Sequence, residues 1–348
     1  MADMRHARQA LDETDRRIAA VLMASPRASW RAVADVLELS ERTIVRRATP
    51  LLRDGTLRPT AVRNPAGFPR IAALVLRIRC RPSRINAIAA GLARRPDTTW
   101  VDILAGGNEI SSVLFLDGAQ ARNSLLLRDL PATADVLSWE AYDLMRVFPA
   151  GFTWSGGLLA TEQLDAISSY PRDPVAAPEA PEIQPLDEAL IDQLTVNARA
   201  DYSELAALLG SSASTVRRRL ELLLSAHMLR LACEVDLSLL GIACEALLWI
   251  TTGPAGLEAA GNALSRHPQV RFTAATTGAA NLLVAVAAED LGGLYTFLTK
   301  VVGSLDDVRG LEVTPILTSV KRTGLVRQSE LRSQPSGGGC HRRRQIVF

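Results

Sequence analysis

The feature that most constrains this chain is an internal repeat. A shift of 172 positions lays Asp15 on Asp187, Leu22 on Leu194, Arg27-Ala28 on Arg199-Ala200 and Ala34 on Ala206. The same shift lays Leu37 on Leu209, Ser40 on Ser212, Thr43 on Thr215, Arg46-Arg47 on Arg218-Arg219, Leu51-Leu52 on Leu223-Leu224 and Leu57-Arg58 on Leu229-Arg230. Pro96 then falls on Pro268 and Gly106 on Gly278. One ungapped offset carries every match, and it far exceeds the roughly 20–50 residues of solenoid repeats, so a whole module has been duplicated in tandem. Between the copies, Tyr170 to Pro185 holds Pro171, Pro174, Pro178, Pro181 and Pro185 among Ala and Glu, the composition of a semi-rigid extended linker.

Each module opens on three short helices. In the first, Ile18, Val21 and Leu22, then Val33, Ala34 and Leu37, then Ile44, Ala48, Leu51 and Leu52 recur at helical spacing. Ser29 and Ser40 are placed to cap the second and third helices, with Ser203 and Ser212 as the expected caps of the second copy. Pro50 lies inside the third helix, where it removes an N–H and is expected to kink or end it. The period then shifts toward two. Ile71–Ile78 reads as a strand, Ile85–Ala93 as a helix, Trp100–Leu104 and Ile110–Leu116 as strands, Ala119–Leu130 as a helix and Val136–Phe148 as a strand. The second copy repeats this order at Ala246–Ile250, Leu257–Arg266, Phe272–Thr276, Asn281–Val286, Leu291–Val302 and Leu311–Lys321. A β-α-β-β-α-β order implies a split sheet with both helices on one face.

Charge and cysteine content narrow the function. With 39 Lys+Arg against 37 Asp+Glu, net charge gives no general affinity for polyanions, so a nucleic-acid role must rest on local clusters. Nearly every basic residue is arginine; only Lys300 and Lys321 are lysines. Cys80, Cys233, Cys244 and Cys340 form no CxxC or Cys/His set, and His6, His227, His267 and His341 have no metal spacing, so neither a metal site nor a disulfide framework is expected. No catalytic triad, paired catalytic carboxylates or HExxH appears, and Gly253-x-x-Gly256 lacks the Lys-Ser/Thr of a phosphate loop. The longest strongly apolar run, about Ala279 to Ala288, is half of a membrane span, and Met1 to Asp15 lacks the apolar stretch of an export signal. The expectation is a cytoplasmic protein with no membrane partner.

The third helix of each copy carries the basic clusters. In a helix-turn-helix the second helix of the pair enters the DNA major groove and presents its early exposed residues to base edges. Ser40 to Arg47 buries Ile44 and turns Glu41, Arg42, Val45 and Arg46 outward; Ser212 to Arg219 turns Ala213, Ser214, Arg217 and Arg218 outward. Arginine there can bridge guanine O6 and N7 or hold phosphates. The candidate DNA-contacting set is Arg42, Thr43, Arg46, Ser214, Thr215, Arg217 and Arg218, while Arg47 and Arg219 flank the buried side and suit ion pairing.

The run Leu11-Asp12-x-x-Asp15-x-x-Ile18, Pro26-Arg27, Val33-Ala34, Ser40-x-x-Thr43-Ile44-x-x-Arg47 and Leu51-Leu52-x-x-Gly55-x-Leu57 resembles the winged helix-turn-helix of Lrp/AsnC transcription regulators. Pro268-x-Val270, Thr277-Gly278-x-x-Asn281 and Val313-Thr314-x-Ile316-Leu317-x-x-Val320-Lys321 resemble landmarks of that family's effector domain. The resemblance implies an α+β chain with two winged helix-turn-helix domains and two ferredoxin-like βαββαβ domains, paired as an intramolecular pseudo-dimer. The corresponding segments are a first DNA-binding domain at 8–62, an effector domain at 68–150, an extension and linker at 151–185, a second DNA-binding domain at 186–234, a second effector domain at 240–325 and a basic tail at 330–348. It further implies double-stranded DNA as partner, a small effector such as an amino acid, assembly into higher homo-oligomers and no cofactor. The family's Thr-Gly-x-x-Asp turn, near its effector pocket, corresponds to Gly106 and Glu109 in copy one and to Thr277, Gly278 and Asn281 in copy two. The alternative for these residues is a plain β-turn that needs glycine geometry. Sirohaem decarboxylases resemble the same two-part architecture, so a tetrapyrrole enzyme is the alternative function, with His267 as the histidine in an effector region.

Overall fold

The computed structural model describes residues 10–68, 70–148, 154–167 and 181–327; most of the proline-rich linker and the basic tail lie outside them. Copy one comprises α1 (Glu13–Ala24), α2 (Trp30–Leu37), α3 (Glu41–Arg53), β1 (Arg58–Arg63), β2 (Ile71–Cys80), α4 (Ile85–Arg94), β3 (Thr98–Leu104), β4 (Glu109–Asp117), α5 (Gly118–Ser124) and β5 (Val136–Val147). A short helix α6 (Thr161–Ile167) precedes copy two. Copy two comprises α7 (Pro185–Val196), α8 (Tyr202–Leu209), α9 (Ala213–Ser225), β6 (Leu229–Glu234), β7 (Cys244–Thr252), α10 (Leu257–Ser265), β8 (Val270–Thr276), β9 (Leu282–Ala288), α11 (Leu291–Lys300), β10 (Val308–Arg322) and β11 (Leu325–Val326).

Side-chain caps start the helices. Ser29, Ser40 and Ser212 accept from the backbone N–H groups of Ala32, Thr43 and Thr215, each at 3.1 Å. Ser203 does not cap: α8 begins one residue earlier, with Asp201 at the N-cap, the position that the repeat lays on Ser29. Nor does Pro50 end α3. The helix runs on to Arg53 and is as long as α9. Pro50 is exposed in its last turns, so the carbonyl it leaves unbonded can meet water, while Ile44 and Ala48 hold the inner face. At the end of α2, Glu38 adopts the left-handed conformation (φ +57°) that Gly210 supplies at the end of α8 (φ +60°).

Each effector unit is an antiparallel sheet in ferredoxin-like order, β5-β2-β4-β3 in copy one. The helices of each copy cover one face: Ala89, Leu92 and Leu125 pack on Leu74, Leu76 and Ile110, and Leu264, Leu294 and Phe297 on Leu248, Ile250 and Val284. The opposite faces meet in an apolar layer of Val75, Leu104 and Val113 against Leu247, Trp249, Leu283 and Ala285. The long strands lock this pairing. Residues 136–143 of β5 pair with β2 and residues 144–147 with β8. Residues 308–315 of β10 pair with β7 and residues 316–321 with β3. Each copy thus lends its last strand to both sheets, and a stable pair is formed within one polypeptide.

The helical units are joined the same way. β1 and β6 form a two-stranded antiparallel ribbon, Arg58 opposite Glu234 through Arg63 opposite Leu229. Cys233, Val235 and Leu237 of copy two complete the core around α1, and Ala61 and Phe68 of copy one complete the core around α7. Arg27 donates to the carbonyls of Ala198 (2.6 Å) and Ala200 (2.9 Å), and its repeat equivalent Arg199 donates to those of Pro26 (2.6 Å) and Ala28 (3.0 Å). Arg27 stacks over Tyr202 and Arg199 over Trp30, completing a reciprocal clamp.

Candidate nucleic-acid interface and effector site

The outward face of each third helix follows from what its inner face buries. Ile44 and Ala48 of α3, and Val216, Leu220 and Leu223 of α9, are buried, which leaves Arg42, Arg46, Arg217, Arg218 and Ser214 exposed on the other side. Thr43 and Thr215 are half-buried and hydrogen-bond to the cap hydroxyls of Ser40 and Ser212, so they brace the helix start. Arg47 pairs with Asp12 and Asp15, and Arg219 pairs with Asp187, which is fully buried. These pairs tie the third helix of each unit to its first. The two faces differ. Arg217 is held by Glu221 one turn on, at 2.8 Å, where copy one has Thr49.

The turn residues expected near an effector serve the sheet pair. Glu109 is buried and ion-paired with Arg77 at 2.6 Å. Arg77 also holds Glu312 of copy two through both Nη atoms, at 2.9 and 2.6 Å, and stacks over Trp249. Asn281 accepts from the Thr252 N–H and donates to the Thr252 carbonyl, both at 2.9 Å, which suits the amide in place of an acid. Thr277 accepts from the Asp143 N–H. Gly278 sits at φ +95°, and a Cβ there would come within 2.5 Å of the Tyr142 ring. Gly106 precedes Gly107, which carries the turn's positive φ of +67°.

A different place in the molecule offers a cavity, of about 100 Å³, where β6 crosses the cleft between the two sheets. Trp100, Asp102 and Ser111 of copy one face Arg271, Phe272 and Arg322 of copy two across it, and none of the five turn residues lines it. Here Arg322, only 1% exposed, pairs with Glu245 at 2.9 Å and donates to Ser319, which in turn donates to the buried Asp102. Burial pushes the Asp102 carboxyl up, against the pull of Arg322. The signal for this site lay in single charges within apolar strands, Asp102 in Thr98–Leu104 and Arg271 in Val270–Thr276. Periodicity alone passes over these. His267 packs its ring edge-on to Phe297 at 5.0 Å, on the helix side of the sheet, and Cys80, Cys233 and Cys244 are buried. Among the described residues no cluster of His, Cys, Asp or Glu could hold a metal, and no helix is long and apolar enough to cross a membrane.

Two helix-turn-helix units clamped to each other above two interlocked ferredoxin-like sheets define the class: a helix-turn-helix module joined to a ferredoxin-like module, present twice. The sequence model of the AsnC-type helix-turn-helix domain matches residues 11–51 and again 185–224, and that of the Lrp/AsnC ligand-binding domain matches residues 245–326. The chain thus carries the domains of the Lrp/AsnC family, with the AsnC-type helix-turn-helix present twice. It is similar to an uncharacterised HTH-type transcriptional regulator of Pyrococcus horikoshii, 29% identical over 147 residues, 42% of this chain and 92% of that protein. A second such regulator, from Pyrococcus abyssi, matches with the same identity and coverage. One relative's near-full length thus corresponds to less than half of this chain. Among solved structures, the siroheme decarboxylase NirDL shares the fold over 92% of this chain and 96% of its own, with a TM-score of 0.57 at 11% identity.

Proposed function

We propose that this chain is a sequence-specific DNA-binding transcription regulator, acting in the cytoplasm without a catalytic role of its own and modulated by a small metabolite. The observation that carries the reading is the reciprocal clamp of the helical units. Arg27, Arg199 and the β1·β6 ribbon fix two third helices on one body in two-fold relation. That is the arrangement by which paired recognition helices meet half-sites about one helical turn, ~34 Å, apart. Arg42 and Arg46 read one half-site and Arg217 and Arg218 the other, with Thr43, Ser214 and Thr215 at the helix starts beside the phosphates. Because Glu221 restrains Arg217 in one helix only, the two half-sites are unequal. Higher homo-oligomers remain compatible with this unit. Against the tetrapyrrole-enzyme reading, His267 is packed on Phe297 rather than turned into the cleft between the sheets. The test is a gel-shift titration on genomic fragments with R217A/R218A beside the parent chain. Two lost base or phosphate contacts predict a drop of about thirtyfold or more, at about 1–3 kcal/mol each, with unchanged melting; undiminished binding contradicts the assignment.

A further inference from the structure

The cavity between β6 and the sheets carries a buried set of paired acids and arginines that the repeat-equivalent pocket, lined by Arg63 and Arg230 without an acid, lacks. Arg271 stands where copy one has Thr99, Glu245 where it has Ala73, and Ser319 where it has Val147. Asp102 and Ser111 stand where copy two has Ala274 and Leu283. The fold therefore does not need these charges, because the same architecture, built from the same chain, is held on the other side by apolar and small residues. Burying a charge without full pairing is costly, so a set kept once in a duplicated frame calls for a reason other than stability.

The set is also incompletely satisfied. Glu245 Oε2 faces both guanidinium groups, at 2.9 Å from Arg322 and 3.3 Å from Arg271, without a hydrogen bond, while Oε1 accepts from Arg322 at 3.3 Å. The Nε–H groups of Arg271 and Arg322 are buried and have no acceptor. The wall beside them is aromatic: Trp100 and Phe272 pack with ring centroids 6.1 Å apart, and Arg271 lies under the Trp154 ring.

We propose that this cavity binds a small carboxylate that lacks an ammonium group, such as a 2-oxo acid, with its oxygens on the guanidinium groups of Arg271 and Arg322 and its body against Trp100 and Phe272. Every acid at the site is already engaged: Glu245 by the arginines, Asp102 by Ser319 and Glu234 by Thr323. No carboxylate stands without a cation or a hydroxyl beside it, so an ammonium would have to displace a partner already in place. The volume, about 100 Å³, is smaller than the roughly 150 Å³ that accepts benzene, so the occupant is limited to a short acid. Met23 of α1, Ala232 to Glu234 of β6 and the following Val235 also line the cavity, so an occupant touches the helical units and both sheets at once. Binding there is coupled to DNA by any difference in affinity between their arrangements. This rests on the regulator reading and moves its effector from the turn at Gly278 to the cleft.

The probes are pyruvate and alanine, similar in size and differing in the ammonium, with sodium chloride to match ionic strength. Pyruvate should quench the tryptophan fluorescence of the full chain saturably and raise its melting temperature with the logarithm of concentration, and alanine should do neither. R271Q should weaken pyruvate binding by about tenfold or more. S111L fills the cavity from a position whose repeat equivalent is already Leu283, so it keeps the charges and the fold while abolishing binding. No response to pyruvate up to millimolar concentration, an equal response to alanine, or binding retained in S111L overturns the proposal. Gel shifts on the same preparations report the regulator reading separately: DNA binding that persists without a pyruvate response sinks this site alone.

Discussion

Removing Arg199 tests how the two helical units are joined. In R199A the carbonyls of Pro26 and Ala28 lose a donor at 2.6 and 3.0 Å, and Trp30 loses a cation 4.1 Å from its ring centre. Hydrogen bonds from a charged donor contribute about 1.5–3 kcal/mol each, and the stacked cation about 0.5–1 kcal/mol. Two terms oppose them. Burial and the neighbouring Arg27 both push the Arg199 pKa down, so the guanidinium is held there at a cost in desolvation and repulsion that the substitution relieves. The expected net loss is about 2–3 kcal/mol, read as a lower urea midpoint at constant m. R27A should behave alike, because its contacts are the repeat equivalents. The double variant carries a sharper expectation. Each arginine is weakened by the other's charge, so with Arg27 gone Arg199 contributes more, and R27A/R199A should lose more than the sum of the singles. A single loss below about 0.5 kcal/mol, or a double variant that loses less than the sum, refutes the reasoning.

Other expectations follow from the sheet pair and the caps. R77L leaves Glu109 buried with only the exposed Arg79, at 3.7 Å, and should cost about 3 kcal/mol by urea denaturation, with E109Q/R77L recovering part of it. Arg77 holds the Glu312 carboxyl below its ordinary 4.5, so this pair stabilises the fold above about pH 4.5 and is lost as pH falls through the folded value; E312Q should lower the melting temperature at neutral pH and converge with the parent chain in acid, which flattens the acid limb of the profile. G278A meets both a positive φ and the Tyr142 ring and should lose more than about 1 kcal/mol, measurable by thermal melting. E38G removes a left-handed non-glycine residue where copy two has Gly210, and should raise stability by up to about 1 kcal/mol in the same assay.

The repeat made the fold class readable from the sequence, because each helix and strand had to be consistent with a second version of itself. Both βαββαβ units run at the expected places, with most strands longer by one to four residues, since backbone pairing continues past the clearest alternation: β2 reaches Cys80 and β10 begins at Val308, while β5 ends one residue short, at Val147. Pro50 misled because the penalty for proline assumes that the orphaned carbonyl is buried, and here it faces solvent. Ser203 misled because serine is a good cap wherever it occurs, whereas the repeat itself points to Asp201. The outward arginines of α3 and α9 were legible from helical period alone. What lay beyond reach was everything made between copies: the β1·β6 ribbon, the shared strands β5 and β10, and the Arg77–Glu312 pair, 235 residues apart. The charged cavity was hidden for the same reason, since Asp102 and Ser319 are 217 residues apart and meet only because β10 crosses to β3.

The central claim is that one chain carries two recognition helices reading unequal half-sites, and selection of bound DNA from a random pool by the full chain tests it most directly. The account predicts an enriched bipartite site with half-sites about one helical turn apart and different in sequence, of which R217A/R218A relaxes one half and leaves the other. No enrichment, or a perfect palindrome whose two halves respond alike to R217A/R218A, contradicts it.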